Sequence, residues 1–531
     1  MRHPMLFALY QYSVLSLPTA LSTTAFGAIP PIRNSNHIFN VIHDSMRQWG
    51  SSLHHNGVSF FLAAVPAGTY LYHGAPDAMP VNGTEWLAFE PEHALVFARP
   101  RWGPGPPPGA GRGQGESDGE GEREDAGHGE LRRRDREQGI PSRQPAMAFD
   151  GSESENGDEH LMGYLHTYAA RENLRLLYID GMSAAKTEKG TLDSQDAVLF
   201  NGLLGDQPGW MGLEAKRARL ACEMAENEWE GRIDGLLRME AGFEIILCDF
   251  ERDLVPVRIT QAKLPQVPRS YMEGHGRSSP HSESVKSPNS SRWLRAIATR
   301  YHGIGGNRVS LNFEHFVTAF SHHVDLFQYN TTLPRLAYLS GEERNAIREE
   351  ITDMILTHDV AEVNNDWQMI TDMIILRYSN ELAYFSSGGI DSIEHLHSEI
   401  ERVLSPFIDY SAREDISEIE RCATQFLPTW QTDSLSVAAR AVFSVASRIC
   451  SDLVLVAKEQ DLETAVGVIR KLVQYLDWTT WKECRGCAAN EICVVPIWPM
   501  GTIQDYERPE CRDASDPYGK GGENYWNAPH H

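Results

Sequence analysis

Apolar positions recur along the chain with two spacings, and each spacing predicts a different element. Phe60-Phe-Leu-Ala-Ala-Val65 and Thr69-Tyr-Leu-Tyr-His73 are short apolar or aromatic runs parted by Pro66-Ala-Gly68, which predicts strand, turn, strand. Pro91-Glu-His-Ala-Leu-Val-Phe-Ala98 predicts a short helix with proline in its first turn. Asn173-Leu-Arg-Leu-Leu-Tyr-Ile-Asp180 predicts a strand ending in Asp180-Gly181. Trp229, Ile233, Leu236 and Leu237 share one helical face, so a long helix is expected from Met211 to about Met239. Phe243-Glu-Ile-Ile-Leu-Cys-Asp-Phe250 reads as the next strand. After about residue 330 the pattern turns helical. Ser340-Gly-Glu-Glu343 is a capping box, and Ile347, Ile351, Met354 and Ile355 carry on from it as an apolar stripe. Leu462, Val466, Ile469, Leu472, Val473 and Leu476 form another stripe.

Two stretches break this patterning. From residue 103 to 159 the chain is Gly/Pro-rich and then alternates Glu, Asp, Gly and Arg. It has too little apolar surface to offset its chain entropy, so a disordered insertion is expected. Residues 265–291 predict a second exposed polar loop. The expected architecture is α+β. A mixed α/β domain occupies residues 28–102 and 160–330, an α-helical region residues 331–482, and a Cys-rich tail residues 483–531.

The 531 residues are 41% hydrophobic, enough for a substantial core. The net charge of -25 repels nucleic acid and anionic lipid, so neither is expected as a partner. Residues 1–27 have the form of a signal peptide: a basic start, an apolar run from Met5, then small residues around Ala20 and Ala25. No later run approaches the ~18 apolar residues that span a bilayer. Sequons at Asn82, Asn289 and Asn330 and an even number of cysteines agree with a secreted, extracellular glycoprotein. Locality suggests that Cys222 joins Cys248, that Cys422 joins Cys450, and that Cys484, Cys487, Cys493 and Cys511 close the tail among themselves. The tail begins like a zinc site with Cys-x-x-Cys but lacks a matching second knuckle, so disulfides are expected and no metal. In that compartment the partners in reach are cell-wall components or a small-molecule ligand.

Three constellations carry candidate chemistry. Asp180, at a strand end, precedes a Gly-rich polar loop holding Asp193 and Asp196. Two such carboxylates buried together would give one a raised pKa and a general-acid role, although Asp-Gly and Asp-Ser also serve turns. Arg300-Tyr-His-Gly-Ile-Gly-Gly-Asn-Arg308 could cradle an anion on freed backbone amides, or form a tight turn before a strand. His322, His323 and Asp325 resemble a metal cluster, but adjacent helical histidines point apart, and a partly exposed helix end is the simpler expectation.

Several segments together resemble a family of secreted proteins from filamentous ascomycete fungi: Glu85-Trp-Leu-Ala-Phe-Glu-Pro-Glu-His-Ala94, Leu176-Leu-Tyr-Ile-Asp-Gly-Met-Ser183, Thr191-Leu-Asp-Ser-Gln-Asp196, Met239 to Phe250, and Ile497-Trp-Pro499. That resemblance implies a compartment and a lineage but no reaction. Thr69-Tyr-Leu-Tyr-His73-Gly74, Trp86-Leu-Ala-Phe89 and Ala94-Leu-Val-Phe97-Ala98 also resemble the start of an ADP-ribosyltransferase fold. The resemblance implies that His73 binds a ribose hydroxyl of NAD, the Gly74 backbone pairs with the carboxamide, and Phe97 stacks on nicotinamide, where that family often has Tyr. Glu244 is the candidate catalytic acid. Two functions of different class follow: a non-catalytic protein of the cell surface or wall, or an enzyme with its pocket near His73 and Asp180.

Overall fold

Strand β1 (Ser59–Val65) lies antiparallel between β5 (Leu174–Ile179) and β9 (Ser310–Thr318). Its uninterrupted apolar run suits a strand covered on both faces. The computed structural model describes residues 29–98, 161–204, 213–263, 293–297, 303–305, 307–328, 333–360, 365–427, 436–518 and 522–526. The expected signal peptide, the insertion 103–159, the loop 265–291, Asn289 and Asn330 lie outside them. The remaining strands are β2 (Tyr70–Ala75), β3 (Glu85–Ala88), β4 (Leu161–Ala170), β6 (Gly235–Met239), β7 (Phe243–Leu247) and β8 (Leu254–Lys263). Together they form one nine-stranded sheet in the order β8-β4-β2-β3-β7-β6-β5-β1-β9. Among the described residues only the β5–β6 pairing in this sheet is parallel. Strands β6 and β7 are buried throughout, and each contains one charged residue. Arg238 and Glu244 face each other in register, so the two polar side chains meet inside the sheet.

The helix expected over 211–239 is shorter than its apolar spacing suggests. Helix α4 runs Glu214–Asn227. Glu230 and Gly231 then take the left-handed region, at φ 51° and 68°, and turn the chain back. Leu236 and Leu237 therefore sit on β6, on opposite faces of the sheet. The spacing from Trp229 also fits a strand buried on both sides, and the two glycines, Gly231 and Gly235, decide against helix.

Helices Gly341–Thr357, Trp367–Ser386, Ile393–Leu404, Asp415–Thr424, Val437–Val456 and Leu462–Leu476 form the helical region. The Ser340–Glu343 capping box is present at the start of the first. Helix α1 (Ser35–Asp44) packs against Trp367–Ser386 and Val437–Val456, so the helical region and the sheet share one hydrophobic core. Among the described residues no helix is long and apolar enough to cross a membrane.

All eight cysteines are paired: Cys222–Cys248, Cys422–Cys450, Cys484–Cys493 and Cys487–Cys511. The sulfurs of Cys484, Cys487 and Cys511 lie within 4.8 Å of one another, as zinc ligands would, but each is committed to a disulfide. The tail lobe carries the short pair β10 (Glu491–Val494) and β11 (Glu510–Asp513). It packs on helix α2 (Gln48–His54) through Trp49 and Leu53, and on residues 293–297.

Candidate functional site

Strands β2 and β3 are joined by a single residue pair, Tyr72 with Ala88. Beside that pair opens a small cleft, part of it open to solvent. Its walls include Tyr72, His73, Gly74, Trp86, His93, Phe97 and Glu244. Helix α3 (Pro91–Leu95) forms the roof, with proline in its first turn as the sequence predicts. Arg308 anchors the start of this helix, donating to the Phe89 carbonyl at 2.9 Å and to the Glu90 carboxylate at 2.8 Å. That arginine is thus occupied in fixing the roof and not available as an anion's counterion.

Strand alternation sorts the residues around the cleft. Tyr72, Ala88, Glu244 and Arg238 are successive cross-strand partners and share the face under α3. Gly74 shares that face too. The His73 ring lies on the other face, edge-on to His166 and Phe250 at 5.9 and 6.0 Å. Its Nδ1 donates to the Trp86 carbonyl at 2.8 Å, which leaves Nε2 as the acceptor nitrogen. Burial pushes its pKa down to about 4, so the ring is neutral. His73 therefore borders the cleft as a brace between β2 and β3.

On the cleft side stands His93, which the sequence marks only as part of a helical run. It is 3% exposed and lies near Phe97 and Trp293, at 6.0 and 5.9 Å. Its ring nitrogens meet no hydrogen-bonding partner among the described residues, and burial alone pushes its pKa down to about 4. Glu244 is also buried and accepts a hydrogen bond from Arg238 Nε at 2.8 Å. Burial raises its pKa, the Arg238 charge opposes this, and the nearby Glu240 charge adds to it. The cleft thus pairs a neutral acceptor, His93, with a carboxyl biased toward its protonated, donating form.

The three aspartates of the Gly-rich loop go to separate places. Asp180 is buried at the end of β5 and accepts from the Ser59 amide at 2.9 Å. Strands β3, β7 and β6 separate β5 from β2, so Asp180 and His73 do not converge. Asp193 accepts from the amides of Leu336 and Ala337, both at 2.9 Å, and pairs with Arg335 at 2.8 Å. Asp196 forms a two-pronged ion pair with Arg217, at 2.8 Å on each arm. Asp193 and Asp196 therefore share no site; each ties down a different neighbour.

His322, His323 and Asp325 are likewise divided. His322 pairs with Glu350 at 2.7 Å, His323 meets Arg33 at 3.0 Å, and Asp325 accepts from the Phe327 amide at 3.1 Å.

Residues 30–268 match the protein-family model described as the YPL277C N-terminal domain. The matched span contains β1 to β8 and every residue named in the cleft wall. The chain is similar to two Saccharomyces cerevisiae proteins, Uncharacterized protein YOR389W and Uncharacterized protein YPL277C. It is 30% identical to the first over 248 residues, covering 45% of this chain and 35% of that protein. It is 32% identical to the second over 248 residues, covering 45% of each. The match thus takes in less than half the length of these curated relatives. No solved structure matches the chain.

Proposed function

We propose that this is a secreted glycoprotein whose cleft binds a small ligand through a planar carboxamide, with the nicotinamide end of NAD as the candidate. The observation that carries this reading is the union of His93, Phe97, Gly74 and Glu244 around one cleft. An amide presents a donor and an acceptor side by side. His93 accepts from its N–H, protonated Glu244 donates to its carbonyl, and Phe97 offers an apolar ring face. The resemblance of residues 69–98 to the start of an ADP-ribosyltransferase fold supports nicotinamide. The ligand-facing role that this resemblance gives His73 passes here to His93, because His73 is turned to the other side of the sheet.

Four disulfides favour an oxidising compartment. The signal-like N-terminus and the exposed sequon at Asn82 point the same way. Two experiments test the reading. Protein expressed in a fungal host should reach the medium or wall lacking residues before roughly 20 to 28, whereas intact Met1 on cytosolic protein would refute secretion. Thermal shift with NAD and with nicotinamide should show stabilisation, about 2.7 kcal/mol at a hundredfold excess over Kd. No shift with either ligand refutes the proposed ligand.

A further inference from the structure

Glu244 belongs to a buried ion network that the cleft by itself does not explain. Arg238 reaches Glu244 through Nε at 2.8 Å, Glu214 of α4 through Nη2 at 2.6 Å, and Gln195 through Nη1 at 2.9 Å. Glu214 also takes Arg217 at 3.0 Å and Lys186 at 3.3 Å. Arg217 pairs with Asp196, and Lys186 with Glu240 at 2.7 Å. The side chains of Lys186, Arg217 and Arg238 are 2%, 1% and 0% exposed. The tail lobe closes the network: the Lys186 ammonium lies 5.3 Å from the centre of the Trp498 ring.

Among the described residues, three cations here face four carboxylates: Asp196, Glu214, Glu240 and Glu244. A surplus carboxylate away from water either remains an uncompensated charge, at high cost, or binds a proton. The cations are unevenly shared. Glu214 touches all three, whereas Glu244 touches Arg238 alone and borders the cleft.

We propose that this network holds its surplus proton on Glu244 at the cleft wall, and that Lys186 and Glu240 are the positioning residues that set how firmly it is held. The charges acting on Glu244 are Arg238 and Glu240 from β6 and its turn, Lys186 from the loop after β5 and Glu214 from α4; His93 from α3 and Tyr72 from β2 line the same cleft, and Arg217 and Asp196 act through Glu214. Removing a cation leaves two surplus carboxylates, so the proton binds more tightly. Removing Glu240 balances the count, so it is released. This inference rests on the cleft being the ligand site. Its test uses no ligand, so loss of the ligand reading and loss of this one are separate results.

The test is the pH midpoint of the Glu244 carboxyl, followed by ¹³C NMR on glutamate-labelled full-length protein and assigned by its disappearance in Glu244→Gln. The wild-type midpoint should lie above the ordinary glutamate range. Lys186→Met should raise it by about one unit or more, Glu240→Gln should lower it by about one unit or more, and Lys186→Arg should leave it in place. A wild-type Glu244 that titrates like a free glutamate overturns the proposal, as do shifts of the same sign in the two charge-changing variants. If Lys186→Met does not fold, Glu240→Gln decides alone, since its side chain is 12% exposed at the network's edge; an unmoved midpoint there also overturns the proposal.

Discussion

A Cβ placed on Gly74 would stand 2.1 Å from the carbonyl oxygen of Ala94. Helix α3 therefore lies directly on the backbone of β2, and glycine is what lets the cleft's roof come so close. Gly74→Ala should push α3 outward and cost about 1–3 kcal/mol of stability, the usual range for overpacking a tight contact. Urea denaturation would measure the loss, and any ligand protection should vanish with it.

The two histidines at the cleft should separate cleanly. His73→Ala removes the donor to the Trp86 carbonyl and the packing on His166 and Phe250. It should destabilise the unliganded protein by about 2–4 kcal/mol. His93→Leu removes a buried imidazole that has no hydrogen-bonding partner among the described residues and keeps most of its volume, so the unliganded fold should change by less than about 1 kcal/mol. It should nonetheless abolish protection by NAD or nicotinamide. A thermal-shift comparison of the two variants, with and without ligand, checks both statements.

Asp180 gives a pH dependence with a definite sign. Burial raises its pKa from 3.8 to about 7 in the folded protein. Its contribution is fully present below about pH 4. It is lost as pH rises toward 7, because the unfolded chain ionises first and the folded chain later; above 7 it is flat. Asp180→Asn lacks this term and can still accept from Ser59. The wild-type stability advantage over Asp180→Asn should therefore shrink from pH 4 to 7, by up to about 1.4 kcal/mol per unit, and then stop changing. Denaturant titrations at pH 4.5, 6 and 8 would show the trend, and an advantage that grows with pH contradicts it.

Non-reducing peptide mapping should recover the four bridges and no free thiol. Opening Cys222–Cys248, which ties α4 to the chain just after β7, should cost about 2–5 kcal/mol. Because α4 carries Glu214 and Arg217, that loss should also weaken ligand protection more than opening Cys422–Cys450 in the helical region.

What the sequence determined by itself follows from short-range physics. Continuous apolar runs marked β1, β5 and β7 and a capping box marked the start of Gly341–Thr357, because these signals lie within a few residues; locality marked Cys222–Cys248 and Cys422–Cys450 and confined the other four cysteines to the tail, where only the structure chose the partners. The sequence also singled out His73, Gly74, Phe97 and Glu244, which do gather at one cleft. The tertiary structure alone decided which way each faces. Strand alternation turns His73 to the far side, and the packing of α3 on the sheet sets His93 on the near one; both depend on pairing and contacts between elements that the local pattern does not specify. The same holds for the aspartates. Asp193 and Asp196 are three residues apart, yet their partners, Arg335 and Arg217, come from different directions. The ion network was the least legible feature, since Lys186, Glu214, Arg238 and Glu244 look like scattered surface charges until the sheet, α4 and the tail exclude water from them together.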